Sequence, residues 1–104
     1  MGMQVKNLDE ARESFAVLDT ASALQTAVMD LGPGEASGAK TNEHAGSEQV
    51  LFVVSGELRA EIGAETRTMR RGDSVIVPKG VAHKFTNTGT STARTFNVYS
   101  PPAY

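Results

Sequence analysis

Short runs of apolar and β-branched residues alternate along the chain with clusters of Gly, Pro and Asn. The clusters recur roughly every eight to twelve residues, as LGPGEASG, SGE, IGAE, RRGD, PKG and TNTGTST. Between them lie the runs FAVLD, ALQTAVMDL, EQVLFVVSG, LRAEIG, ETRTMR, SVIVP, HKFTN and RTFNVYS. Short strands at this spacing are typical of an all-β sandwich or barrel.

The apolar pattern within the runs predicts where each strand lies. VLFVV is apolar at every position, which predicts a central strand covered on both faces. LRAEI and TRTMR alternate apolar or small residues with charged ones, as a half-exposed hairpin does. A double-sheet jelly roll accommodates about eight such strands and hides their edges. The only helix signal is NLDEARESF, residues 7–15, with Asn7 as its cap, and it predicts at most a short helix.

Length and charge narrow the class of protein. At 104 residues the chain is predicted to be a single domain, with an N-terminal strand and short-helix extension over 1–23 and a barrel over 24–104. A hydrophobic content of 39% and a net charge of -2 describe an ordinary globule and argue against nucleic acid as a partner. Arg67, Arg70 and Arg71 cluster beside Glu61 and Glu65, which predicts a solvated hairpin face rather than a phosphate site.

The absence of cysteine excludes disulfide bonds and thiolate metal ligands. It also favours a reducing compartment. The chain shows no secretory leader and no run of the roughly 20 apolar residues that cross a bilayer. We therefore expect a cytoplasmic protein with no membrane partner.

The stretch GDSVIVPKGVAHKFTN, residues 72–87, carries one of the two histidines of the chain. Gly72 begins a turn into the strand SVIVP and Gly80 belongs to the turn out of it, so His83 begins the returning strand. His83 and Phe85 then share one face of that strand. An imidazole directed into a barrel must form a hydrogen bond or bind a metal. A core histidine bonded to a backbone carbonyl is the structural alternative.

The second histidine, His44, lies in TNEHAGSEQVLFVVSG, again at the entrance to an apolar strand after a Gly/Pro-rich turn. The two histidines occupy equivalent places in two strand-turn-strand units. We expect them to pair across the barrel. An exposed histidine at a strand start is the alternative for His44.

The spacing within residues 72–87 resembles a known family. The second motif of the cupin family is G-x5-P-x-G-x2-H-x3-N, and this chain meets it without gaps at Gly72, Pro78, Gly80, His83 and Asn87. The resemblance covers residues from about 27 to 104. It implies the all-β cupin fold, a double-stranded β-helix or jelly-roll barrel.

The first cupin motif has two histidines separated by one residue, then a glutamate, then a glycine. Here Asn42 stands in the place of the first histidine, His44 in that of the second, and Gly56 in that of the glycine. Counting back from Gly56 puts Gln49 in the place of the glutamate, whereas counting forward from His44 also admits Glu48. Gln49 is favoured because the glycine turn fixes the register of the strand.

The resemblance implies a divalent transition metal near the mouth of the barrel: Zn, Ni, Mn, Fe or Cu. Its ligands would be His44, Gln49 and His83, with Asn42 or water completing the shell. All these ligands are neutral, so the ion should bind less tightly and exchange more readily than beside a carboxylate. Alternatively, Gln49 bonds to a neighbouring strand and Asn42 is a turn residue.

Other polar and aromatic residues favour structural roles. Asn87 and Asn97 are expected to be structural hydrogen-bonding residues. Tyr99 and Phe52 fit either the pocket or the core. No residue is identified as catalytic, because the nearest carboxylates, Glu43 and Glu48, are expected to be solvated.

Two functions are consistent with these residues. One is a metal-dependent enzyme, similar to dioxygenases or isomerases, acting on an organic acid, a sugar derivative or an aromatic diol. The alternative is a non-catalytic module, with or without metal, that binds or senses a small molecule in the barrel. We also expect a homodimer formed through edge strands, with SFAVLDT as the segment that crosses over.

Overall fold

The computed structural model describes residues 2–38, 40 and 45–104, and its regular structure is almost entirely β. The strands are β1 (Phe15–Thr20), β2 (Gln25–Leu31), β3 (Glu48–Ser55), β4 (Glu57–Ile62), β5 (Glu65–Arg70), β6 (Ser74–Val77), β7 (His83–Thr86) and β8 (Ala93–Ser100). Each strand corresponds to one of the runs read from the sequence. The all-β prediction is therefore confirmed.

Two antiparallel sheets form the fold. The larger has the strand order β1-β2-β8-β3-β6 and the smaller has the order β5-β4-β7. The core lies between them, where one cluster joins Leu51 and Val53 of β3 to Leu58 of β4 and Phe85 of β7. This is the two-layer, jelly-roll arrangement that the strand pattern predicted.

The inner face of the larger sheet changes character along its strands. At one end, inward side chains are apolar, as at Leu31, Val53 and Ala93. At the other end, the cross-strand pairing of β2, β8 and β3 places Gln25, Tyr99 and Gln49 in one row. All three are buried. The candidate site lies at this polar end of the sheet.

The outer face of β3 differs from the expectation. The strand lies between β8 and β6, as a central strand should, but only one of its faces is covered. Val50 and Phe52 point away from the smaller sheet and are partly exposed, and Ile76 beside Val50 on β6 is 62% exposed. The prediction that VLFVV is covered on both faces is wrong for the isolated chain, because its second layer packs on one side only.

The β4–β5 hairpin matches its alternating pattern. Leu58 and Ala60 of β4 and Met69 of β5 face inward and are buried, whereas Arg59 and residues 65–68 are exposed. On the solvent side, Arg70 Nε lies 3.2 Å from Glu57 Oε2.

Gly56, which joins β3 to β4, is required by close packing. Its φ is +84°, in the region that side-chain-bearing residues rarely adopt. A Cβ atom at this position would lie 2.7 Å from both Ala93 Cα and Thr92 O. The glycine therefore allows the hairpin to contact the start of β8.

The N-terminal segment is attached through an ion-pair cluster. Its helix is a single 3₁₀ turn, Leu8–Glu10, in which the Asn7 side chain accepts a hydrogen bond from Asp9 N, so the cap is as predicted. Arg94 of β8 donates to both carboxylate oxygens of Asp30 and to Asp9 Oδ1. The hydrogen bond to Asp30 is the main cause that raises the pKa of the Arg94 guanidinium. No helix in the described part of the chain is long and apolar enough to cross a membrane.

Candidate functional site

The turns around β6 bring His83 to the inner face. Asp73 closes the first turn, because its Oδ2 accepts from Arg70 N at 2.8 Å and its own N donates to Arg70 O at 2.9 Å. After β6, Val81 N donates to Pro78 O at 3.2 Å, which closes the second turn. His83 is then the first residue of β7, as the turn spacing predicted.

His83 is directed inward together with Phe85. The imidazole residue is 8% exposed, and its Nδ1 lies 3.0 Å from Val81 O. A backbone carbonyl only accepts hydrogen bonds, so Nδ1 carries the hydrogen in this contact. In the neutral ring the lone pair then belongs to Nε2. A second partner that fixes the tautomer in this way is usual for metal-binding histidines.

Gln49 is the inward residue of the first candidate stretch. It is 4% exposed, whereas Glu48 is exposed, so the register counted back from Gly56 describes the strand. Gln49 Nε2 donates to Asn97 Oδ1 at 3.0 Å. Its Oε1 is buried and has no hydrogen-bond donor among the described residues. A buried acceptor left unsatisfied is costly and indicates a missing partner.

A relay of hydrogen bonds fixes which end of the Gln49 amide is unsatisfied. Thr95 Oγ1 donates to the carbonyl of Met29 at 3.1 Å, so it accepts from Asn97 Nδ2 at 3.0 Å. Asn97 Oδ1 must then accept, and Gln49 must offer its NH₂ group to it. The backbone carbonyl on β2 therefore sets the direction of the whole relay.

Gln49 and His83 line the same small cavity. Its volume is about 30 Å³, close to that of one water molecule. Four aromatic rings complete most of its wall: those of Phe15, Phe85, Tyr99 and Tyr104. At this volume the cavity accommodates a water molecule or an ion but not an organic molecule.

A larger groove of about 460 Å³ lies elsewhere, beside β5 and β6. Its wall includes Met69, Val75, Arg67 and Asp73. Neither Gln49 nor His83 contributes to it. The two described residues of the predicted metal site therefore line the smaller cavity and not the groove.

Tyr104, in the segment 101–104, also lines this cavity. Gln25 binds this segment through both ends of its amide: Oε1 accepts from Ala103 N at 3.0 Å and Tyr104 N at 2.9 Å, and Nε2 donates to Tyr104 O at 2.8 Å. Ser47 Oγ donates to Pro101 O at 2.7 Å. These bonds hold the Tyr104 ring against Phe15 and Tyr99.

The structure describes two of the four predicted metal ligands, Gln49 and His83. Asn42 and His44 lie outside the described residues, as does Glu43. Within residues 2–38, 40 and 45–104, no group of three or more His, Cys, Asp or Glu side chains is placed to hold a metal ion. The metal set as a whole therefore stays a prediction, while the donor types of Gln49 and His83 fit an ion that accepts oxygen and nitrogen ligands.

Sequence reasoning missed the residues that close the site. Phe15 of β1 and Gln25 of β2 each contact Tyr104, which is far from both along the chain. An inward amide such as Gln25 in an apolar strand was the available signal. Of the two aromatic candidates, Tyr99 lines the cavity and Phe52 lies on the outer face.

The comparisons with known proteins identify relatives of this chain. The family model described as "Cupin domain" matches residues 27–99. An uncharacterised protein of Streptomyces coelicolor, SCO3923, is 46% identical over 55 residues, which cover 53% of this chain and 51% of that protein. The auxin-binding protein ABP19b of Prunus persica is 33% identical over 85 residues, which cover 77% of this chain and 40% of that protein. The chain thus spans about half or less of the length of these relatives.

Solved structures share the fold over most of the chain. BH2720 of Bacillus halodurans has a TM-score of 0.84 and 23% identity, covering 93% of this chain and 76% of that one. TT1209 of Thermus thermophilus has a TM-score of 0.82 and 25% identity, covering 95% and 98%. A predicted oxalate decarboxylase of Thermotoga maritima has a TM-score of 0.81 and 21% identity, covering 95% and 100%.

Proposed function

Because this chain belongs to the cupin family, we propose that it binds a divalent transition metal and a small organic ligand at the polar end of its barrel. The observation that carries the proposal is the buried Gln49 Oε1, which has no donor and lines a cavity with His83. A cation can coordinate this oxygen directly, so no hydrogen-bond donor is needed. His83, with Nδ1 bonded to Val81 O, offers Nε2 as the second ligand atom.

The metal would be Zn, Ni, Mn, Fe or Cu, held by Gln49 and His83 and, as the sequence predicts, by His44 and Asn42. A bound ion supplies Lewis acidity toward an oxygen atom of the ligand. The protein's own contribution is to fix the direction of the Gln49 amide and to surround the ion with aromatic side chains. A metal-dependent reaction of the dioxygenase or isomerase kind is the enzymatic form of this proposal.

Metal titration tests the proposal. After removal of bound metal with EDTA, Co²⁺ should bind with one ion per chain and give a visible absorption spectrum. His83→Ala and Gln49→Leu should each weaken binding by at least about tenfold, because each removes one ligand. Lys84→Ala is the matched control, since Lys84 adjoins His83 on β7 but faces the other way.

Gln49→Glu sharpens the same test. A carboxylate in place of the amide adds a negative charge beside the ion, and binding should strengthen on the order of tenfold or more. Elemental analysis of the purified protein gives the natural ion. Equal Co²⁺ affinity in the wild type, His83→Ala and His44→Ala would overturn the metal site.

The second candidate is a non-catalytic module that binds or senses a small molecule without metal. Gln49 is neutral, which favours this candidate. A hydroxyl or amine group of a ligand would donate a hydrogen bond to Gln49 Oε1 and satisfy it as well as a metal ion would. Two relatives named auxin-binding proteins support a small organic ligand. Ligand binding that is unchanged by EDTA would favour this candidate over the first.

We also propose that the chain forms a homodimer. The apolar outer face at Val50, Phe52 and Ile76 supports a second copy as the cover, and β1 is an edge strand that a second β1 would extend. Sedimentation should show a dimer that Phe52→Glu converts to a monomer. A variant lacking residues 1–20 separates the two surfaces, and an unchanged dimer counts against the N-terminal segment.

The cytoplasmic location stays a prediction, which fractionation of cells that produce the protein would check.

A further inference from the structure

The position of Tyr104 bears on the kind of organic ligand that the site accepts. Its ring lies 4.7 Å from the ring of Phe15, at an interplanar angle of 51°, and 5.3 Å from that of Tyr99, at 77°. These are the tilted and edge-to-face geometries that aromatic rings prefer. Phe15 and Tyr99 therefore form a seat for one aromatic ring, and the chain's own residue 104 occupies it.

The ring in this seat also closes the cavity. Tyr104 contributes to the wall that Gln49 and His83 share, yet the residue is 56% exposed. It thus stands between the cavity and solvent. Because the cavity volume is about 30 Å³, an organic ligand needs space that the Tyr104 ring occupies.

The backbone beside the Tyr104 ring is attached through hydrogen bonds to one side chain of β2. Three hydrogen bonds join the backbone of residues 103 and 104 to Gln25, which is 1% exposed. Water can replace such bonds when the segment leaves, so each contributes little net free energy. More than half of Tyr104 is already solvated, so little apolar surface opposes its departure.

From these contacts we infer that Tyr104 is an intramolecular stand-in for the ligand, and that the site binds a single-ring aromatic compound of the phenol class. The inference rests on the proposed function of this cavity. The ligand ring takes the seat on Phe15 and Tyr99 after residues 101–104 move aside. Its polar substituent lies toward Gln49 and His83, where Gln49 Oε1 accepts a hydrogen bond from the ligand hydroxyl or shares the metal with it.

The test uses p-cresol, which reproduces the tyrosine ring, and the full chain kept free of metal by EDTA. Binding is measured by chemical-shift titration in the wild type and in Gln25→Leu. The variant retains Tyr104 but loses the three hydrogen bonds from Gln25 to residues 103 and 104, so the form with Tyr104 in the seat becomes less populated. We expect p-cresol affinity to rise about tenfold, and Phe15→Leu in the same background to remove the gain.

Controls separate this displacement from a simple new hole. Tyr104→Ala should also bind p-cresol more tightly, and the absence of that gain would overturn the inference even if Gln25→Leu fails to fold. Thr26→Val is the matched control, because Thr26 adjoins Gln25 on β2 but faces the opposite way. Cyclohexanol should bind more weakly than p-cresol in every variant, because it lacks the aromatic face.

Two outcomes would overturn the inference. One is equal p-cresol affinity in the wild type, Gln25→Leu and Tyr104→Ala. The other is a gain in Tyr104→Ala with none in a folded Gln25→Leu, since deleting a ring alone creates an apolar hole. Because no metal is present, a failed Co²⁺ titration with successful p-cresol binding removes only the metal, and the reverse result removes only the aromatic seat.

Discussion

The two ends of the barrel interior use the same strands for different purposes. At the apolar end, Leu31, Val53 and Leu58 pack into one cluster. At the polar end, the inward positions of these same β2 and β3 strands are Gln25 and Gln49, whose amides bond to residues 103 and 104 and to Asn97. The apolar end is built for burial, whereas the polar end keeps an unsatisfied acceptor. This difference supports the proposal that stability depends mainly on one end of the core and binding on the other.

The largest effect should come from the apolar end. Leu58→Ala removes a fully buried side chain between the sheets and should lower the free energy of unfolding by about 2–5 kcal/mol. Urea denaturation measures the change. Among molecules that remain folded, Co²⁺ affinity should stay within about twofold of the wild type. A large loss of affinity at constant structure would show that the two ends are coupled.

A smaller effect should separate close packing from backbone conformation. Gly56→Ala and Gly72→Ala both place a side chain at positive φ, +84° and +92°. This alone costs about 1–2 kcal/mol. Only at Gly56 does the new Cβ meet backbone, at Ala93, whereas at Gly72 nothing lies within 4 Å. Gly56→Ala should therefore be less stable than Gly72→Ala by about 1–3 kcal/mol in urea denaturation. Equal losses would mean that β8 yields to the added methyl group.

The smallest effect on stability should come from the polar end. Gln49→Leu removes an unsatisfied buried oxygen, which stabilises the fold, and takes a donor from Asn97 Oδ1, which destabilises it. These contributions oppose each other, so the free energy of unfolding in EDTA should change by less than about 1.5 kcal/mol. A loss as large as that of Leu58→Ala would assign Gln49 to stability rather than to binding.

Much of the fold could be predicted locally. Alternation and turn residues identified the eight strands, and the turn before His83 set its inward direction. The count from Gly56 likewise selected Gln49 over Glu48. These predictions succeeded because each depends on a turn and the strand next to it. The apolar sequence VLFVV misled because an apolar side chain does not by itself determine whether a second layer of the chain packs over it.

The closing of the site could not be predicted in the same way. The seat of Tyr104 needs β1 beside β2, and its attachment needs Gln25 beside residues 103 and 104, which are far away in sequence. The unsatisfied oxygen of Gln49 depends on a relay that crosses three strands. A local sequence pattern shows which side chains of a strand share a face, but it does not show which distant strands and segments lie next to each other.

The relay from Met29 through Thr95 and Asn97 has a consequence for selectivity. The carbonyl of Met29 determines the direction of every bond in the relay. This carbonyl, two strands away on β2, therefore determines that Gln49 directs its oxygen rather than its NH₂ group into the cavity. Thr95→Val would release Asn97 to rotate, and the Gln49 amide could then reverse and present its NH₂ group. The cavity would then offer a hydrogen-bond donor in place of an acceptor. It would favour carboxylates over cations and hydroxyl groups, although no residue that contacts the ligand has been replaced.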